Sequence, residues 1–145
     1  MVEIQTETEI DAAPSQVWAI LTNFPAYPSW NPFIMAIVGR LVEGERITAQ
    51  IAPPGWGKMT FKPVLLVVKP EHELRWRGAL GAGFLLSGEH AFALDRLPGG
   101  RTRFAQTETF SGLVAPLLMS GAGVQATKEG FVAMNEALKR RAEAR

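Results

Sequence analysis

IDAAPSQVWAILTNFPAYPSWNPFI, residues 10–34, changes its character twice within one stretch. Pro14 suits the first turn of a helix, where a missing N–H costs nothing. Val17, Trp18 and Leu21 then fall on one face at helical spacing. Pro25, Pro28 and Pro32 forbid a long continuation, so the predicted helix stops near Asn23. The next segment, YPSWNPF (residues 27–33), carries three aromatics, two prolines and no charge. Its proline spacing suits neither helix nor strand. Trp30 on this connector is either a plug between helix and sheet or a ring at the mouth of something hollow.

On the N-terminal side, residues 2–10 alternate Val2, Ile4, Thr6, Thr8 and Ile10 against Glu3, Gln5, Glu7 and Glu9. Period two with acids on one side is a strand with one wet face. On the C-terminal side, residues 34–110 read as strands separated by turns. Segments 35–41 and 46–52 flank EGE, and PPGWG (53–57) is a loop. Residues 58–69 read as one long strand in which Pro63 demands an edge position or a bulge. Leu74, Trp76 and Gly78 alternate with Glu73, Arg75 and Arg77. Segments 84–97 and 101–110 flank LPGG, whose glycines can take positive φ in a hairpin turn. The short connections predict an antiparallel meander. Val124, Phe131, Met134 and Leu138 mark the apolar stripe of a C-terminal helix, which must bury it on the dry face of the sheet. The predicted class is α+β.

The chain is one domain long, 145 residues, and can bury a core without staples. Its 15 basic and 14 acidic side chains leave a net charge of +1, which argues against a nucleic-acid partner. The run Lys139, Arg140 and Arg141 has two readings, cations favoured at a helix C-terminus or a phosphate contact. Zero cysteines exclude disulfides, thiolate metal sites and a cysteine nucleophile. Residues 1–10 carry no signal-peptide pattern, and the apolar runs fall far short of the ~20 residues that span a bilayer. A soluble cytoplasmic protein is expected.

Polar residues on the dry face carry the functional question. Gly88, His90, Phe92 and Leu94 share one face of their strand, and Phe104, Gln106, Glu108 and Phe110 share one face of the next. His90, Gln106 and Glu108 are thus within reach of one another across the hairpin. A lone buried Glu108 charge would cost several kcal/mol, so it needs a partner, a proton or water. Three explanations stand: a structural network with His90, a dry face that borders a cavity, or a register shift that puts Glu108 outside. Mostly apolar walls with a few placed polar groups are the makeup of a ligand cavity. SGAG (120–123) and Gly130 each weaken a helix by about 1 kcal/mol relative to Ala, which fits a kink, a close approach or room beside the helix. The blander alternative is a loop before a helix that starts near Val124.

The early motif in residues 10–34, FSGLVAPL (110–117) and GFVAMNEALKRRAE (130–143) together resemble the START-like/Bet v 1-like superfamily, and within it the bacterial SRPBCC proteins of the polyketide cyclase/dehydrase and lipid-transport type. The resemblance covers nearly the whole chain. It implies a helix-grip fold: two short helices after the first strand, then a curved seven-stranded antiparallel sheet around a long C-terminal helix, with a hydrophobic cavity between. Ring-hydroxylating oxygenases of the superfamily need a mononuclear iron site of two histidines and a carboxylate. Only His72 and His90 exist, and His72 falls in a KPEHE turn, so no metal and no cofactor are expected. Chaperone co-regulators would show a charge block, and none is visible.

Three functions are compatible with these residues. The first is binding of a small hydrophobic or aromatic ligand, lipid- or polyketide-like, with Trp30, Phe61, Trp76, Phe92, Phe104, Phe131 and Met134 as walls and His90, Gln106 and Glu108 as orienting groups; Trp56 is a further gate candidate. The second is a cyclase/dehydrase enzyme with a His90 base tuned by Glu108. The third is a protein-partner module that uses the exposed PPGWG loop, where a wet Trp56 needs a reason. A homodimer is compatible with all three.

Overall fold

The computed structural model describes residues 2–79, 85–113, 115–118 and 121–144. Phe84, Val114 and Ser120, which belong to segments named from the sequence, lie outside the described residues.

The described residues form eight strands and three α-helices in the order β1 (Val2–Ile10), α1 (Pro14–Thr22), β2 (Ile34–Val38), β3 (Thr48–Ile51), β4 (Met59–Phe61), β5 (Val64–Lys69), β6 (Glu73–Ala79), β7 (Ser87–Leu97), β8 (Arg101–Ser111), α2 (Ala115–Leu118) and α3 (Ala122–Glu143). A 3-10 helix, Phe24–Ser29, comes directly after α1. Every ladder is antiparallel. The class is α+β, with α3 lying against β1 and β8 and touching α1, and this fits a helix grip.

The single seven-stranded sheet is corrected by the strand pairing. Five strands pair in the order β1-β8-β7-β6-β5, and β2-β3-β4 form a separate sheet. Pro63 is the cause. It has no N–H for the ladder and restricts the residue before it, so the one strand expected over residues 58–69 becomes two. Its first half, β4, pairs with β3, and its second half, β5, pairs with β6. Hydrogen bonds from Ile47 N to Pro63 O and from Leu65 N to Glu45 O stitch the two sheets at the break, both at 2.9 Å.

The period-two pattern of β1 holds: Ile4, Thr6 and Ile10 are buried and the acids are not. Gly99 and Gly100 make the β7–β8 turn at φ values of 84° and 76°, a conformation that L side chains rarely adopt. Val17 and Leu21 of α1 are fully buried. Beyond α1, the ring of Tyr27 is buried, and its hydroxyl donates to the Leu21 carbonyl at 2.5 Å. Burial pushes its phenol pKa far above the ordinary range. Trp30 packs half-buried with its ring 5.2 Å from Tyr27, edge to face. Asn31 Oδ1 accepts from the backbone N–H groups of Phe33 and Ile34, at 2.9 and 2.8 Å, and so turns the chain into β2.

The glycines of the last helix divide. Gly121 caps α3 and Gly123 lies inside it, so the helix begins at Ala122, two residues before the start near Val124. Gly130 marks a close approach: a Cβ there would lie 2.3 Å from Phe33 Cδ1. Phe33 in turn stands edge-on to Phe131, ring centroids 5.5 Å apart. Gly130→Ala should therefore lower stability in urea unfolding by about 1–3 kcal/mol from overpacking. That loss outweighs the about 1 kcal/mol of helix propensity that alanine restores. A net gain in stability would show that Phe33 is not held against the helix.

Candidate functional site

Between the two sheets and α3 lies a cavity of about 330 Å³. Pro63, at the break between the two sheets, is part of its lining. Ile34, Ala49, Ile51, Met59 and Phe61 form the small-sheet wall. Trp76, Gly78, Gly88, His90, Glu108 and Phe110 form the opposite wall, and Ala126, Thr127 and Phe131 of α3 close a third side. Pro53 and Trp56 belong to the loop at its mouth, where Trp56 remains 54% exposed. Among the described residues, the lining side chains are thus aromatic and aliphatic apart from Ser87, His90, Glu108 and Thr127.

His90 and Glu108 are direct cross-strand partners in the β7–β8 ladder. Glu108 Oε2 lies 2.9 Å from His90 Nδ1, with side chains 14% and 7% exposed respectively. The contact is close but off the axis of a ring N–H, so among the described residues Oε2 makes no directed hydrogen bond. Space for the carboxylate comes from Gly88, where a Cβ would sit 2.5 Å from Oε1. The other ring nitrogen, Nε2, lies 2.9 Å from Gln106 Oε1. Gln106 Nε2 donates to Asn135 Oδ1 at 2.8 Å, and Asn135 Nδ2 donates to Thr6 Oγ1 at 2.9 Å. Three elements, β1, β8 and α3, are thereby joined through the buried interface. Trp76, Phe92 and Phe131 surround the imidazole with centroids 5.4, 4.5 and 4.9 Å away.

Of the residues singled out from sequence, Phe61, Trp76, His90, Glu108 and Phe131 border the cavity. Phe92, Phe104 and Met134 are fully buried in the core and lie outside its lining. Gln106 is also fully buried, behind His90 rather than in the wall. Trp30 packs against the core through Tyr27 and does not line the cavity. His72 is exposed in the turn before β6. Sequence reasoning passed over Asn135 and Thr6. Asn135 had a readable signal, since it falls four residues after Phe131 and three before Leu138 on the apolar stripe. Phe110 was placed on the inward face with Glu108, but Phe33 and Ala126 had no signal, because nothing local says which side of a hydrophobic residue stays unfilled. Among the described residues, no group of three or more His, Asp or Glu side chains is placed to hold a metal ion.

The pattern of the family described as polyketide cyclase / dehydrase and lipid transport matches residues 1–143. The chain belongs to that family. A START superfamily protein from Mycobacterium smegmatis is similar in structure, with TM-score 0.75, 18% identity, and 97% of each chain covered. The Zhui aromatase/cyclase from a Streptomyces species superposes with TM-score 0.73 at 15% identity, covering 98% of this chain and 93% of that one. A hypothetical protein from Helicobacter pylori reaches TM-score 0.78 at 18% identity, covering 98% and 88%. At such identities the likeness concerns the fold. No protein of curated function matches the sequence significantly. No helix among the described residues is long and apolar enough to cross a membrane.

Gln106 is the hub of the polar chain, and its removal orphans groups that have no other partner among the described residues. Gln106→Leu leaves the His90 Nε2 side and Asn135 Oδ1 buried and unpaired, at roughly 1–3 kcal/mol for each. Urea unfolding should show that loss, against a change within about 0.5 kcal/mol for Gln5→Ala on the wet face of β1. Equal effects of the two substitutions would contradict the hub role.

Proposed function

We propose that this protein binds a small, mostly apolar or aromatic ligand in the cavity between the sheets and α3. The observation that carries the reading is the cavity itself: about 330 Å³ of space bounded by Phe33, Phe61, Trp76, Phe110 and Phe131, with His90 and Glu108 in its wall. A folded chain left to maximise stability would fill such a space, because interiors pack to near-crystal density and unfilled volume forfeits contacts. Membership of a family described by cyclisation, dehydration and lipid transport is in keeping with such a site. His90 and Glu108 orient the ligand, Trp56 flanks the entry, and Phe92, Phe104 and Met134 support the wall from behind. The lipid- or polyketide-like nature of the ligand belongs to this proposal.

A ligand that binds only the native state raises apparent stability by about 2.7 kcal/mol at one hundred times its Kd. For a domain of this size that corresponds to roughly 5–10 °C in Tm. The probe is 2-methylnaphthalene in a thermal-unfolding titration. The wild type should shift, and Ala126→Phe, which puts a ring into the cavity from α3, should fold and shift much less. No shift for a panel of aromatic and aliphatic hydrocarbons would sink the reading, and an equal shift in Ala126→Phe would move the site elsewhere.

A second reading, acid–base catalysis, is favoured by the placement of the only ionisable pair of the described lining against the cavity. His90 Nε2 is engaged by Gln106, and Nδ1 is covered by Glu108 Oε2 at 2.9 Å without a directed hydrogen bond. The base that meets a substrate would therefore be Glu108, with His90 behind it, the reverse of the roles expected from sequence. A base in this wall would remove a proton alpha to a carbonyl. Exchange of the alpha protons of 2-tetralone in deuterium oxide measures this step directly. Acceleration by the wild type that Glu108→Gln abolishes would support catalysis, and no acceleration over buffer would dismiss it for this carbonyl class.

A further inference from the structure

The hydrogen-bond chain behind His90 has a direction, and that direction sets where the imidazole carries its proton. The chain starts at a backbone carbonyl, Gln106 O, which can only accept. Thr6 Oγ1 lies 3.4 Å from it and donates its proton there. The lone pairs of Thr6 Oγ1 are then free for Asn135 Nδ2–H at 2.9 Å. This turns Asn135 Oδ1 towards Gln106, whose Nε2 donates to it at 2.8 Å. A second carbonyl, Phe131 O, lies 3.5 Å from the same Nε2 and holds the amide the same way round. Gln106 Oε1 is therefore the atom that faces His90 Nε2 at 2.9 Å. A carbonyl oxygen has no proton to give, so Nε2 bears one. Flipping one amide alone would set N–H against N–H or oxygen against oxygen, and flipping both would lose the Thr6 bond to Gln106 O and set Gln106 Oε1 against the Phe131 carbonyl.

The remaining ring nitrogen, Nδ1, meets Glu108 Oε2 at 2.9 Å. That contact is off the axis of a ring N–H, so the pair carries either no further proton or one. With Nε2 protonated, its net charge is negative in the first form and zero in the second. We propose that Thr6, Asn135 and Gln106 are positioning residues that hold His90 protonated at Nε2, so that His90 and Glu108 meet the cavity as a pair without net positive charge that selects neutral hydrogen-bonding ligands over carboxylates. A hydroxyl or carbonyl on an apolar ligand can donate to or accept from this pair without changing the charge of the site. A carboxylate would bring an uncompensated charge into an apolar enclosure, which is expensive. The ligand class is thus a neutral, mainly aromatic molecule with a hydroxyl or carbonyl group. This selectivity rests on the cavity being a ligand site; the protonation pattern of His90 does not.

Two measurements test the two halves separately. In the first, protein labelled with ¹⁵N-histidine is read by long-range ¹H–¹⁵N correlation, with exposed His72 as the internal comparison. His90 should show a proton-bearing Nε2. Asn135→Asp, which keeps the acceptor for Gln106, should preserve that signature, and Asn135→Leu should lose it from part of the population as the Gln106 amide turns over. Where Asn135→Leu does not fold, Thr6→Val serves in its place, because Asn135 then loses the acceptor that orients it. A bare Nε2 in the wild type, or an unchanged spectrum in the folded variant, overturns the positioning role. In the second, wild-type protein is titrated with 2-naphthol, 2-naphthoate and 2-methylnaphthalene. Binding of 2-naphthol should be tighter than that of 2-naphthoate by about tenfold or more, the equivalent of about 1.4 kcal/mol. Equal binding of the two overturns the selectivity while binding of the hydrocarbon upholds the cavity as a ligand site. Absence of binding by all three overturns the ligand reading and the selectivity with it, and leaves the spectrum to judge the protonation pattern alone.

Discussion

A primary amide in a dry helix–sheet interface must have its hydrogen-bonding positions filled or cost more than the packing around it returns. Gln106 is such an amide, fully buried between β8 and α3, and its bonds to His90 and Asn135 organise what surrounds it. Asn135 fixes the rotation of α3 about its axis, since only one face of the helix can present an acceptor to Gln106. That same rotation turns Phe131 and Ala126 to the cavity and Met134 and Leu138 into the core. Thr6 extends the requirement to β1, so β1, β7, β8 and α3 share one set of directed contacts. Apolar packing tolerates small slips; a chain of donors and acceptors does not.

The second constraint is a missing donor. Pro63 cannot continue a ladder, and the chain leaves the small sheet and enters the large one at that point. Two sheets that part over a helix enclose volume, and the residues around the gap adjust its size. Gly130 lets the Phe33 ring approach α3 closely, and Gly88 leaves room for the Glu108 carboxylate beside His90. The exposed face of the large sheet carries ordinary surface chemistry by contrast. Arg75 bridges Glu73 and Glu89 at 2.9 and 2.7 Å, and the hydrogen bond to Glu73, then that to Glu89, raises its pKa. Partly exposed pairs of this kind contribute little to stability. The buried polar contacts of Gln106 lie on the inward face.

Much of this was legible in the order of residues. Two-residue alternation assigned His90, Gln106 and Glu108 to inward faces, because side chains alternate sides along a strand whatever the rest of the protein does. Prolines and glycines marked the end of α1, the hairpin turn and the interruption within residues 58–69, because their backbone restrictions are local. The apolar stripe announced α3 and the need for a sheet beneath it. Register, strand partners and unfilled volume are not local quantities. Whether Pro63 bulges one sheet or divides it into two depends on which strands are available to pair on each side. Whether an inward polar residue borders space or is packed solid depends on side chains far away in the chain: Thr6 meets Asn135 across 129 residues. By itself the sequence determined the faces, the helical stripe and the residue types that could act. Only the tertiary structure decided that His90 and Glu108 oppose each other at a cavity wall while Gln106 stands behind them, because that outcome is set by long-range pairing and packing.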